Sequence, residues 1–242
     1  MSYRIDLVVP VYNEVKNFQR LYDYVSRNVR SDWQLLIVYD FPEDSTLTTA
    51  KPISEKDRRV KLVFNPVKGV LGAIRAGFAE AKADAILVVM ADESSQMLSQ
   101  IDALTNTFYL NNATIVVASR YMKGGSHTGG AFIKSTLSRL AGISLYWLIR
   151  LPTHDATNNT RLYRKAFLDR TVIESKRGFE LALELTLKAH LAGEIIKEIP
   201  VSWTERTEGT SRFQLLGWLP AYLYWYWYGI RKYYFSKKQN SD

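Results

Sequence analysis

A chain of 242 residues, 47% hydrophobic and 23% charged, carries enough apolar side chains for one α/β domain with its own core. The absence of cysteine excludes a disulfide framework, a thiolate zinc site and a cysteine nucleophile. Lysine and arginine number 32 against 24 acidic residues, a formal +8 that favours anionic partners such as phosphates or acidic lipid.

The chain opens on IDLVVPVYNE, residues 5–14. A continuous Ile/Leu/Val run fits a strand buried on both faces, as in a parallel sheet, and Pro10 marks its carboxyl end. Further strands are expected at Leu35 to Tyr39, Val60 to Phe64, Ala85 to Met90 and Thr114 to Ser119. Helical patterns fall between them at Val15 to Asn28, Leu71 to Lys82 and Gln96 to Asn111. This alternation predicts an α/β fold with a mostly parallel, doubly wound central sheet flanked by helices. Beyond residue 120 come a glycine-rich loop around His127, an apolar stretch from Ala131 to Arg150 and a polar turn from Leu151 to Arg161. A helix from Phe179 to Gly193 and a strand from Ile195 to Val201 follow. With no internal repeat, the division expected is one domain over residues 1–213 and a carboxyl-terminal appendage over 214–242.

In an open α/β sheet, ligands bind beyond the carboxyl ends of the strands. That edge should collect Tyr12, Asn13 and Glu14 after the first strand, Asp40 after the second, Asp92 after the fourth and Arg120 after the fifth. An aromatic face beside hydrogen-bonding side chains suits a nucleobase and its ribose, although Asn13 also suits a helix cap. Asp40 with Asp44, and Asp92 with Glu93, can bind a divalent cation that bridges a diphosphate, or each can cap a turn. Lys68 to Ala73, with Gly72 inside it, is either a backbone-amide approach to a phosphate or a plain helix start. It is not a P-loop, because no Gly-Lys-Ser/Thr ending follows. Arg120, Lys134, Arg161, Arg206 and Arg212 fall in loops or at element ends, where arginine grips phosphate in a bidentate way.

Together these segments resemble the family-2 glycosyltransferases of the GT-A fold, near the dolichol-phosphate and polyprenyl-phosphate mannosyl- and glucosyltransferases. VVPVYNE, the Asp40 region, KGVLGAIRAGFAEAKAD, VVMAD, ASRY, HDATNNTRLYRKAF and GFELALELTLKAHLAGEIIKEIPVSWTERTEGTSRF carry the resemblance over residues 4–213. It implies that Pro10, Tyr12, Asn13, Glu14, Asp40, Lys68 and Gly72 hold the nucleotide sugar, GDP-mannose or UDP-glucose. Asp92 would hold Mg²⁺ or Mn²⁺ and the diphosphate, with Glu93, Ser95 or Gln96 completing the metal site. Arg120, Lys134 and Ser138 would meet the acceptor phosphate, and Arg206 and Arg212 would cover the diphosphate. Asp92, Arg120 and Arg206 are then the catalytic set. The chain departs from the family's Asp-x-Asp, having Met90-Ala91-Asp92-Glu93 instead, and has Arg212 where lysine is common.

An acceptor that is a polyprenyl phosphate is already anionic and needs no strong base. None of His127, His154 and His190 is then required for acid–base work, and transfer should invert the sugar. A saccharide or protein hydroxyl would need a base instead, with Glu180 and Glu184 the first candidates. A non-catalytic membrane-binding protein is the third reading, favoured by the incomplete acidic motif. Nucleic acid is not expected as a partner, because the basic residues are dispersed.

The stretch LLGWLPAYLYWYWYGIRKYYF, residues 215–235, is broken by Gly217, Pro220, Gly229 and Arg231. Its Tyr and Trp prefer a lipid–water interface, so an in-plane helix on the cytoplasmic face of a membrane is expected. The alternatives are packing on the domain or in the seam of a homo-oligomer. No signal leader precedes the first strand, which fits a cytoplasmic setting.

Overall fold

The computed structural model describes residues 3–129, 132–204 and 215–239. The first half runs β1 (Arg4–Pro10), α1 (Val15–Asn28), β2 (Asp32–Tyr39), α2 (Leu47–Lys56), β3 (Val60–Phe64), α3 (Val70–Glu80) and β4 (Ala85–Val88). Then come α4 (Ser95–Leu98), α5 (Ile101–Leu110), β5 (Ile115–Ser119), β6 (Ser126–Thr128) and α6 (Phe132–Ile149). β7 (Arg161–Arg164), α7 (Lys165–Arg170), α8 (Leu181–Leu191), β8 (Ile196–Pro200), β9 (Ser202–Thr204) and α9 (Leu215–Gln239) complete the described elements.

Seven strands form one sheet in the order β3-β2-β1-β4-β7-β5-β8. Only β7 runs against its neighbours, pairing antiparallel with both β4 and β5. β6 and β9 form a separate parallel pair. The apolar strands bury both faces, as their composition requires. Ile5, Leu7 and Val9 pack with Phe18 and Leu21 of α1 and Leu104 and Phe108 of α5. Val8, Leu36 and Val38 pack with Ile74 and Phe78 of α3 and Leu185 of α8. Each such side chain contributes about 1.5–3 kcal/mol on burial, which makes this two-sided core the main stabilising term. Asp6 is the polar intruder on β1; its Oδ2 accepts the backbone N–H groups of Lys82 and Ala83 at 2.6 and 2.9 Å.

A third cluster joins α6, α8 and α9 through Leu145, Ile149, Leu183, Leu187 and the buried Trp225. α9 approaches α8 so closely at Gly229 that a Cβ there would meet Leu187 Cδ2 at 2.5 Å. Hydroxyls fasten α9 further: Tyr222 donates to Phe179 O at 2.7 Å, Tyr226 to Ser144 Oγ at 3.0 Å and Tyr234 to Leu148 O at 2.9 Å. The appendage of the sequence reading is therefore packed along the domain on one face. Its other face stays open, with Tyr224, Trp227, Tyr234 and Phe235 exposed.

The elements differ from expectation in several places, among them the β6–β9 pair, where a loop is expected around His127. The helix expected from Gln96 divides into α4 and α5. The sequence pattern predicts no helix over α2 and none over α7. The polar turn ends in a strand, β7.

Candidate active site at the carboxyl edge of the sheet

β1, β2, β3 and β4 are parallel, and β5 and β8 share their direction through the reversed β7. Their carboxyl ends therefore point to one edge, which places Tyr12, Asp40, Asp92 and Arg120 along a common rim. β8 ends opposite Ser119, with Pro200 as its partner, so β9 also begins at this rim. Arg206 and Arg212 follow β9 and lie outside the described residues.

The wall after β1 and β2 is knitted from short polar bonds. Pro10 is the last residue of β1, in register with Val38. Tyr12 is exposed and meets Phe41 edge-on, ring centroids 5.3 Å apart. Asn13 takes a left-handed backbone (φ 58°), donates its N–H to Asp44 Oδ1 at 3.0 Å and accepts from Ser45 N–H at 3.0 Å. Glu14 donates its backbone N–H to Thr46 Oγ1 at 2.9 Å, and its carboxylate accepts from Asn17 at 2.6 Å. Asp40 is buried, and its oxygens accept from Asn65 Nδ2 at 2.6 Å and Gly69 N–H at 2.8 Å. It thereby clamps the β3–α3 loop that carries the exposed Lys68. A Cβ at Gly72 would lie 1.8 Å from Val67 O, so glycine there allows α3 to start directly beneath that loop.

The turn after β4 separates two neighbouring carboxylates. Asp92 is half-buried at the rim. Glu93 is buried, hydrogen-bonded to Thr160 Oγ1 through Oε1, and without a partner for Oε2 among the described residues. Burial pushes its carboxyl up to about 7, against the Thr160 hydrogen bond that lowers it. That inward, neutral-leaning placement does not suit the metal-ligand role expected of Glu93. Gln96 lies exposed in the first turn of α4. Among the described residues, no group of three or more His, Asp or Glu side chains could hold a metal. The donor set at this turn is thus one rim carboxylate, which fits Mg²⁺ or Mn²⁺ only where substrate phosphates complete the shell.

After β5, Arg120 turns to Asp155 with its backbone N–H at 3.0 Å, Nε at 2.7 Å and Nη2 at 3.0 Å. Nη2 also reaches Ser138 Oγ and Thr157 Oγ1 at 3.3 Å each, and the guanidinium lies 4.9 Å from the Tyr121 ring centre. Asp155 is fully buried. Burial alone would raise its carboxyl, but Arg120 outweighs it and holds the group below the usual carboxylate range. Arg161, also fully buried, donates to the carbonyls of Asn158 at 2.7 Å and Ala182 at 3.1 Å. Its burial lowers its pKa. Ser138 is shared among Arg120, Tyr121 and Thr157. Lys134 lies in the first turn of α6, and its side chain falls outside the described residues.

Glu180 and Glu184, the candidate bases for a hydroxyl acceptor, are buried and committed elsewhere. Glu180 accepts the backbone N–H groups of Lys176, Arg177 and Gly178, and Glu184 those of Glu174 and Ser175. They staple the loop before α8, so the structure does not offer them as proton acceptors. The histidines are likewise engaged: His154 with Glu198 at 2.6 Å, His190 with Ile149 O at 2.8 Å, and His127 stacked on Trp203 at 4.8 Å.

A cavity of about 530 Å³ opens between the β5–β6 loop and the start of α6, lined by Arg120, Lys123, His127, Ser135, Thr136 and Arg139 among others. The sequence reading singled out neither Lys123 nor Arg139; the signal was a lysine three residues beyond a strand-end arginine. A more open groove of about 650 Å³ follows α1 and is lined only by α1 and α2 residues, away from the strand ends.

The family model described as glycosyl transferase family 2 matches residues 6–171. Polyprenol monophosphomannose synthase of Mycolicibacterium smegmatis is 28% identical over 220 residues, covering 85% of this chain and 79% of that protein. Undecaprenyl-phosphate mannosyltransferase of Micrococcus luteus is 28% identical over 220 residues, 86% of this chain and 87% of the other. Dolichol-phosphate mannosyltransferase of Pyrococcus furiosus is 24% identical over 219 residues, 87% of this chain and 59% of its own length. Among solved structures, glucosyl-3-phosphoglycerate synthase of Mycobacterium tuberculosis with Mn²⁺, UDP-glucose and phosphoglyceric acid superposes with a TM-score of 0.67. At 14% identity, covering 94% of this chain and 80% of that one, it attests the GT-A fold.

Proposed function

Because the chain belongs to glycosyl transferase family 2, we propose that it moves a hexosyl group from a nucleotide sugar to a polyprenyl phosphate with inversion at the anomeric carbon. The observation that carries this reading is the common rim, where an aromatic wall, the half-buried Asp92 carboxylate and a cationic cavity follow one another along the strand ends. Relatives that act on polyprenyl phosphates support the acceptor class; GDP-mannose and UDP-glucose are the donors to try first.

In this mechanism Tyr12 and Phe41 flank the nucleobase, and Asp40 keeps the adjoining loop in place. Asp92 would hold Mg²⁺ or Mn²⁺ together with the donor diphosphate, and the ion would neutralise charge on the departing nucleoside diphosphate. An acceptor phosphate oxygen attacks the anomeric carbon from the face opposite the leaving group. One carbon–oxygen bond forms as the other breaks, and no proton needs removal. Catalysis then consists of positioning and charge compensation. The commitment of Glu180 and Glu184 to backbone N–H groups weighs against a hydroxyl acceptor.

Peripheral attachment to the cytoplasmic face of a membrane belongs to the same reading. No helix among the described residues is long and apolar enough to cross a bilayer. Trp147 and Leu148 of α6 and Tyr224, Trp227 and Phe235 of α9 are exposed, and Tyr234 bridges the two helices at Leu148. Aromatic side chains beside Arg231 and Lys232 suit an anionic lipid surface.

The test incubates purified protein with undecaprenyl phosphate and labelled nucleotide sugars. Label should enter the organic phase from one donor and be lost in Asp92→Ala. Label that stays in water on a saccharide refutes the acceptor, and full transfer by Asp92→Ala refutes the role of that carboxylate.

A further inference from the structure

We propose that α9 and the donor side of the rim are coupled through residues 176–180, so that seating α9 on an anionic lipid surface tightens nucleotide binding. This rests on the transferase reading for the nucleotide and on peripheral attachment for the lipid. The path begins on the inner face of α9. At 3.6 residues per turn, Trp218, Tyr222, Trp225 and Gly229 share one stripe of the helix. Leu223, Tyr224 and Trp227 are exposed on the other side. Trp225 is buried in the cluster with Leu187 of α8, which Gly229 also meets. The first turns of α9 reach the loop before α8 instead. Arg177 donates through Nη1 to Gly217 O, Phe179 meets the Trp218 ring edge-on at 4.7 Å, and Tyr222 donates to Phe179 O at 2.7 Å.

That loop is braced from within. The buried Glu180 carboxylate accepts the N–H groups of Lys176 at 3.0 Å and of Arg177 and Gly178 at 2.9 Å each. A carboxylate holding consecutive amides makes the segment move as a unit, so a displacement of Arg177 or Phe179 carries Gly178 with it. Gly178 is the point of contact with the donor side. Its backbone is left-handed (φ 114°), and a Cβ there would lie 2.7 Å from Val70 Cγ1 and 2.9 Å from Leu71 N. No flexible side chain separates the loop from the start of α3, and close-packed contacts of this kind transmit strain. Val70 is the first residue of α3, and Gly69 before it donates its N–H to Asp40 Oδ2 at 2.8 Å. A continuous chain of contacts therefore runs from α9 to the carboxylate that clamps the loop carrying Lys68. Lipid on the outer face of α9 holds one end of this chain, and a nucleotide beside Asp40 holds the other. Whichever binds first orders the shared segment, so the second has less to order, which makes the coupling positive.

The experiment titrates GDP and UDP, each with Mn²⁺, into the full chain without vesicles and at saturating vesicles of phosphatidylcholine and phosphatidylglycerol in equal parts. The double variant Trp218→Ala with Tyr222→Phe is treated alike, and hydrogen exchange is followed over residues 65–72 in both proteins. Thermal melting verifies that the double variant folds; Tyr222→Phe alone, which deletes only the hydroxyl that reaches Phe179 O, takes its place if it does not. Vesicles should raise the parent's affinity for one of the two nucleotides about fivefold or more, and that nucleotide should raise vesicle affinity by the same factor, because such coupling is reciprocal. Both effects should vanish in the variant. Exchange over residues 65–72 should slow on vesicles in the parent alone. Equal nucleotide affinity with and without vesicles, in a parent that binds both, overturns the proposal and leaves the transferase reading standing. A variant that keeps the parent's ratio overturns it as well. A parent that binds neither nucleotide defeats the transferase reading; exchange that still slows on vesicles then upholds the coupling, and unchanged exchange overturns it too. A parent that ignores vesicles defeats peripheral attachment and the proposal with it.

Discussion

Replacing Asp155 with Asn isolates the value of the Arg120–Asp155 pair. The substitution keeps the side chain's shape but turns an amide toward a guanidinium, donor against donor. Asp155 is completely buried and Arg120 nearly so, so water cannot take over as partner. Stranding one charge of a buried pair costs about 3–5 kcal/mol. For a domain of this size each kcal/mol moves Tm by about 2–4 °C, so a fall of about 6–20 °C is expected. Asp57→Asn provides the control, since its partner Arg59 is half exposed and such surface pairs contribute about 0–1 kcal/mol. Differential scanning calorimetry of both variants across pH gives a second check. Arg120 holds the Asp155 carboxyl below its usual range in the folded protein. The stabilisation it contributes is therefore complete above the unfolded value near 4 and is lost as pH drops through the lower folded one. Parent and variant should converge in acid. An Asp155→Asn Tm within about 2 °C of the parent at pH 7 would refute this reasoning and return Arg120 to the pool of available phosphate ligands.

Three other outcomes follow from the same geometry. Glu93, whose carboxyl is raised to about 7 by burial, binds its proton more tightly folded than unfolded, so stability should decline as pH rises from about 4.5 to 7. In chelator-treated buffer Glu93→Gln should flatten that slope, and an unchanged slope contradicts it. Glu184→Gln should lower Tm by several degrees through its loosened hold on Glu174 and Ser175, with kcat per folded molecule within a few-fold of the parent; a hundredfold loss of kcat at unshifted Tm would restore it as a base. Trp147→Ser with Trp227→Ser should weaken sedimentation with anionic vesicles about tenfold or more and leave Tm alone, because both rings are exposed. Undiminished vesicle binding removes α6 and α9 from the membrane contact.

The sequence discloses the rim because parallel strands have a direction: once the apolar runs are located, whatever follows each of them must share an edge. IDLVVP and its successors carry that information in plain composition. β7 escapes because RLYR is four residues with arginine at both ends and gives no alternation, and Arg161 is buried because the carbonyls of Asp155, Asn158 and Ala182 and the Thr186 hydroxyl receive it. α2 escapes because Pro52 interrupts a polar stretch whose burial rests on Leu47 and Ala50. Glu180 and Glu184 look reactive on paper, since no local pattern announces that the backbone amides of residues 174–178 will consume them. Lys123 and Arg139 become a pair only when the loop after β5 folds back over α6.

The reversed strand between β4 and β5 has a consequence for the order in which the molecule is made. A nascent chain that has emerged as far as residue 120 holds every strand from β1 to β5, yet β4 and β5 have nothing to join them until residues 161–164 arrive. Through that interval β4 shows a bare row of amides and carbonyls, the kind of template on which neighbouring nascent chains clump. A fragment cut near residue 125 would carry that raw margin permanently. The smallest piece worth expressing extends past Arg164.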